Sequence, residues 1–148
     1  MSFACYWLPV ILWCGVIFGF SSDAGSSLHT SRIIGPVMRW LVPGISEEAI
    51  GRVQLVVRKA AHMTEYGVLA LLSWRAWRKP ARGDRRPWRW SEAAWGGGFA
   101  VLFAVTDEIH QSFVPSREGR VLDVLIDASG AMLGLLAIRA WGKWRGRW

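Results

Sequence analysis

The chain has 148 residues, 18 Lys+Arg against 11 Asp+Glu for a net charge of +7, and 52% hydrophobic residues at a mean hydropathy of +0.22. That length allows one compact domain, read here as residues 1–148, with no room for a second core. So high an apolar content beside so strong a basic excess excludes an ordinary soluble globule. It fits a bilayer protein, in which apolar runs cross the hydrocarbon and Lys/Arg collect in cytoplasmic loops. Nucleic-acid binding, the usual reading of a pI near 10.4, is set aside by distribution. Most of the positive charge lies in Arg75–Arg89 and Arg139–Arg147, each beside an apolar run and each studded with Trp.

The first apolar run, Phe3 to Phe20, carries no charge and approaches the roughly 20 residues that cross a hydrocarbon core. Ser22-Asp23-Ala24 loosely resembles a cleavage site, but the run lacks a basic n-region and exceeds the usual apolar length of a signal peptide, so a retained span is expected. Cys5 and Cys14 lie nine positions apart in this run. A helix separates them by about 13 Å, which no intrachain disulfide closes. Gly35-Pro36 and Pro43-Gly44 then read as breakers enclosing Val37–Val42, a segment too short to span and suited to the membrane interface. Ser46 before Glu47 and Glu48 reads as a helix start: the hydroxyl accepts an orphan N–H and the carboxylates favour the positive dipole end.

Three further spans are predicted at about 53–74, 93–111 and 121–141, giving an all-α bundle of four transmembrane helices. The 75–90 connection holds seven basic residues against Asp84, and Lys143, Arg145 and Arg147 follow the last span. The positive-inside bias therefore puts both termini and this loop on the cytoplasmic face of a bacterial inner membrane, with 21–52 and 112–120 outside. Trp74, Trp77, Trp88, Trp90, Trp95, Trp141 and Trp144 are expected to form the inner aromatic belt. Gly96-Gly97-Gly98 lacks the strand and Lys-Ser/Thr of a phosphate loop and reads as small residues for close helix packing.

The three later spans carry ionisable groups. Arg58, His62 and Glu65 fall at i, i+4 and i+7 on one face, flanked by Lys59 and Tyr66. Asp107, Glu108 and Gln111 share a stripe at the end of the third span. Asp123 and Asp127 open the fourth, followed by Gly130 and Gly134 in small-xxx-small spacing. Counting inward from the basic edges at 1.5 Å per residue puts His62 at roughly 20 Å, Asp127 at roughly 18 Å and Asp107 near 25 Å, all in the outer half of a core about 30 Å thick. Isolated charges there cost at least a few kcal/mol each unless paired or facing a water-filled cavity. An ion-pair network, Arg58 or Arg117 with Asp123 and Glu108, is the plain structural explanation. Five carboxyl groups exceed what such pairing needs, and with an imidazole they suit proton transfer, a hard divalent cation, or both. The set lacks the marks of a zinc site.

These stretches resemble the VanZ-like family of small bacterial membrane proteins. The resemblance rests on Phe20-Ser21-Ser22, on Arg58 through Tyr66, on Thr106-Asp107-Glu108-Ile109-His110-Gln111 with Pro115 and Arg117, and on Asp123 through Gly130 to Gly134. It covers roughly residues 20–135, and Asp127 stands where some members have Asn. The family takes its name from a protein associated with reduced susceptibility to the glycopeptide teicoplanin. The resemblance therefore implies a membrane site related to the cell envelope rather than a stated reaction.

The leading expectation is a site opening outward that binds or acts on an envelope lipid or a lipid-linked cell-wall precursor. Arg58, Lys59, Tyr66 and Arg117 are the candidate ligand-binding residues, the cations holding a phosphate or carboxylate. His62 or Glu65 is the candidate base, and Asp107, Glu108, Gln111, Asp123 and Asp127 complete the candidate catalytic set by tuning that base or holding a divalent cation. A proton-coupled carrier subunit and a purely structural accessory protein remain alternatives.

Overall fold

The computed structural model of the protein describes residues 3–21, 27–81, 84–115 and 119–148, the side chains of 27–31 excepted. The described residues form five helices and no strand: α1 (Phe3–Ser21), α2 (Ser27–Leu41), α3 (Glu47–Arg78), α4 (Trp90–Gln111) and α5 (Val121–Trp144). Ser46 caps α3 as the sequence predicts, its Oγ accepting from the Ala49 N–H at 3.2 Å, with Glu47 and Glu48 in the first turn. At the other end Lys79 turns left-handed (φ 44°) and donates its N–H to the Arg75 carbonyl, and Pro80 stops the helix.

Two expectations about boundaries are corrected. Gly35-Pro36 does not break the chain; Pro36 sits inside the 15-residue α2. Proline removes only the bond to the carbonyl four residues back, and that residue, Arg32, is exposed. Arg75 to Arg78, assigned from sequence to the loop, are helical, so α3 runs 32 residues, about 48 Å at 1.5 Å per residue. Pro9 lies inside α1 by the same logic, and the Cys5 carbonyl it frees is approached by Arg75 Nη1 at 3.5 Å.

Side-chain contacts fix the helix directions. Tyr6 OH donates to the Pro80 carbonyl and Trp13 Nε1 to the Glu65 carbonyl, each at 2.9 Å, so α1 runs antiparallel to α3. A Cβ on Gly96 would lie 2.6 Å from the Trp74 amide nitrogen, while Tyr66 reaches Asp107, so α4 is antiparallel to α3 as well. Gly130 packs on the Met63 backbone and Gly134 on Gly67, so α5 runs parallel to α3. Any side chain at Gly130 would drive into the Met63 carbonyl, which is why the two backbones need glycine there. Arg39 grips Glu47 with a forked pair at 2.8 and 2.9 Å and folds α2 back on the start of α3.

The interior mixes six alanines, Ala70, Ala76, Ala93, Ala100, Ala104 and Ala131, with larger apolar residues such as Val10, Ile17, Leu69 and Trp74 and with polar Tyr66 and Asp107. The outer faces are apolar, with Val56, Leu102 and Leu122 each about two-thirds exposed. So many exposed large apolar residues are unusual for a soluble monomer. By length and composition α1 and α5 are able to cross a membrane; α3 and α4, which hold most of the interior charge, fall short of that measure.

At the end of the bundle where α3 stops, the basic loop folds inward instead of lining a rim. The Arg78 guanidinium is almost fully buried and donates to Asp84 at 3.3 Å, to Glu92 at 2.9 Å and to the carbonyls of Arg86 and Pro87. Its charge lies over the rings of Trp74 and Trp148. Trp74 stacks on Trp88, and Trp148 completes the cluster. Trp74 is thus core and Trp88 half-buried beside the guanidinium's cluster. Trp90, Trp95 and Trp144 do stand exposed.

Candidate functional site

At the opposite end, α3 and α5 run side by side and present charges at matching heights. Lys59 Nζ lies 2.5 Å from Asp123 Oδ1, and one turn further in, His62 Nδ1 lies 3.6 Å from Asp127 Oδ1. The steps of three residues on α3 and four on α5 are each close to one helical turn, so parallel helices stack the two pairs as rungs. The rungs differ in character. Lys59 and Asp123 are partly exposed; the Asp127 side chain has no exposure, and neither of its oxygens has a hydrogen-bond partner among the described residues.

The end of α4 closes the third side. Asp107 is buried, and its Oδ2 accepts from Ser21 Oγ at 2.7 Å, Gln111 Nε2 at 3.0 Å and Tyr66 OH at 3.1 Å. One carboxylate oxygen therefore ties α1, α3 and α4 together. Glu108 accepts the Arg120 backbone N–H at 2.8 Å, one of the orphan donors at the start of α5. Gly119 makes this possible: a Cβ there would collide with the Glu108 carbonyl.

Between these elements lies a cavity of about 430 Å³, lined by Leu55, Arg58, Lys59, His62, Glu108, Gln111, Pro115, Arg120, Asp123, Ile126 and Asp127. Of the residues singled out from sequence, Arg58, Lys59, His62, Glu108, Gln111, Asp123 and Asp127 meet around this space. Asp107 and Tyr66 lie behind it, joined to its wall through Gln111. Glu65 is half-buried and does not line it, being about 4.5 Å further along the α3 axis than His62. Arg117 lies outside the described residues. The pairing expected for Arg58 is corrected: among the described residues Lys59 takes Asp123, and a backbone amide takes Glu108. Arg58 lines the cavity with no hydrogen bond or ion pair among the described residues.

Ser21, Leu55 and Ile126 belong to the site or its support and were not anticipated as site residues. A serine after an apolar run reads equally as a loop, and two aliphatic residues in apolar helices read as lipid-facing. Among the described residues, no three His, Cys, Asp or Glu side chains converge as a metal site would require. The carboxylates instead line the cavity wall one by one.

An all-helical bundle with apolar outer faces, two helices apolar enough to span, and a charged cavity at one end is the architecture of a membrane protein. The model of the VanZ/LLP1 family matches residues 6–142, and the chain belongs to that family. No curated protein and no solved structure matches it.

Proposed function

We propose that the chain is a single-domain, four-span protein of the bacterial inner membrane whose cavity opens toward the outer leaflet and binds the headgroup of an envelope lipid or lipid-linked cell-wall precursor. In this reading α1, α3, α4 and α5 cross the bilayer. Of the charges that lower the hydropathy of α3 and α4, Arg58, Lys59 and Glu108 line the cavity, Asp107 is buried behind it, and Arg75, Arg78 and Glu92 lie at the basic end. The stripe Ile33, Val37, Trp40 and Leu41 on α2 is exposed, as suits a helix lying in the interface. Arg75, Lys79, Arg85, Arg89 and the C-terminal cations support a cytoplasmic far end by the positive-inside bias.

The observation that carries the function is the cavity itself. It combines Arg58, a guanidinium without a partner among the described residues, with an imidazole facing a buried carboxylate, and it lies at the bundle end opposite the basic loop. Arg58 holds the phosphate or carboxylate by charge-assisted bonds. His62, with Nδ1 turned to Asp127, presents Nε2 as the proton acceptor for a bound group. Lys59 and Asp123 satisfy each other and serve mainly to fasten α3 to α5 at the mouth.

The test is lipid binding by purified protein in detergent, followed by stabilisation on adding a short-chain phospholipid. Arg58→Gln is expected to weaken binding about tenfold, the loss of one charge-assisted contact near 1.4 kcal/mol. Unchanged binding in this variant, with helix content intact, would overturn the proposal.

A further inference from the structure

We infer that the ligand's headgroup is zwitterionic, pairing a phosphate at Arg58 with a primary ammonium that Asp127 accepts. This deepens the headgroup reading above and rests on it. The cavity holds three carboxylates, and two are already committed: Asp123 to Lys59 Nζ, Glu108 to the Arg120 amide. Asp127 is left with two acceptor oxygens, no hydrogen-bond partner among the described residues, and a side chain with no solvent exposure. His62 Nδ1 at 3.6 Å is beyond good hydrogen-bonding distance.

A buried carboxylate without a hydrogen-bond donor is costly, and Asp127 borders the cavity, with only the His62 imidazole at ion-pair distance among the described residues. An ammonium brings three N–H donors and the opposite charge, which is what two open carboxylate oxygens lack. Arg58, which has no hydrogen bond or ion pair among the described residues, lines the same cavity as Asp127. Leu55 and Ile126 border the same space and offer apolar wall to the start of an acyl chain.

The experiment compares three probes on the intact protein in detergent: dihexanoyl phosphatidylethanolamine, dihexanoyl phosphatidylcholine, and free phosphoethanolamine. The choline headgroup keeps the phosphate and the positive charge but has no N–H. The ethanolamine lipid is expected to bind at least tenfold more tightly than the choline lipid, and Asp127→Asn to erase that preference while Arg58→Gln weakens both. Free phosphoethanolamine separates a lipid ligand from a soluble one: binding as tight as the lipid's would make the ligand a free aminophosphate and leave the pairing of charges standing. Equal binding of the two lipids by the unmodified protein, still sensitive to Arg58→Gln, would overturn the ammonium assignment and leave the headgroup reading intact. Binding of none of the probes would overturn both.

Discussion

Asp107 and Arg78 are the two residues on which most of the polar interior depends, and they sit at opposite ends of the bundle. Asp107 gathers Ser21, Tyr66 and Gln111 on one oxygen, so Asp107→Ala strands three buried donors from three helices. A loss of about 2–3 kcal/mol in stability is expected, read as a lowered midpoint in thermal unfolding monitored by helix content. Arg78 anchors the basic loop through Asp84. The side chain and backbone N–H of Arg86, with the charge of Arg78 behind them, hold the Asp84 carboxyl well below the usual carboxylate range. A carboxylate lowered on folding contributes stability that is complete above its unfolded pKa and is lost as pH falls through the folded one. Hydrogen exchange of residues 84–89, corrected for intrinsic rate, should therefore stay protected down to about pH 5 and rise only below about pH 3.9. Rising exchange near neutrality would contradict the anchor. From sequence, Arg78 is one of seven cations in a loop; that it turns inward depends on Trp74 and Trp148 meeting from chain positions 74 residues apart. Likewise Arg58 and Lys59 both lie on the polar arc of α3, and only the placement of α5 decides which one Asp123 meets.

Among the helices, the pairing of α3 with α5 determines the site. Gly130 and Gly134 let the backbones approach closely enough for Lys59 to reach Asp123 and for His62 to face Asp127. Gly130→Leu should push them apart by striking the Met63 carbonyl, costing both thermal stability and lipid binding, whereas Gly15→Leu, where the added side chain has open space, should leave both nearly unchanged. Equal effects of the two would show that the close approach does not matter. Much of this was legible beforehand: the apolar runs, the Ser46 cap, the stripe on α4 and the Gly130/Gly134 spacing all lie where local chemistry puts them. The ends of helices were not. Pro36 and Arg75–Arg78 are local signals for stopping, and both are overridden, the first because an exposed turn tolerates a missing bond, the second because the buried guanidinium extends the helix.

At the scale of the whole molecule, the parallel course of α3 and α5 and the antiparallel course of α1 and α4 divide the protein into a basic, Trp-lined end and a cavity end. His62 and Arg78 are sixteen residues apart on α3, about 24 Å. A count of depth along each helix from the basic edges puts ionisable groups of three spans near one level, and groups from α3, α4 and α5 line one cavity. The same count carried no information on which groups would be satisfied, since that depends on lateral packing. The most direct measurement is labelling of single cysteines by a membrane-impermeant maleimide in intact cells, in a Cys5→Ser/Cys14→Ser background. Phe113→Cys, beside the cavity, should label from outside, and Arg85→Cys, in the basic loop, only after the cells are permeabilised; labelling of Arg85→Cys from outside with Phe113→Cys protected would contradict a cavity open to the outer leaflet.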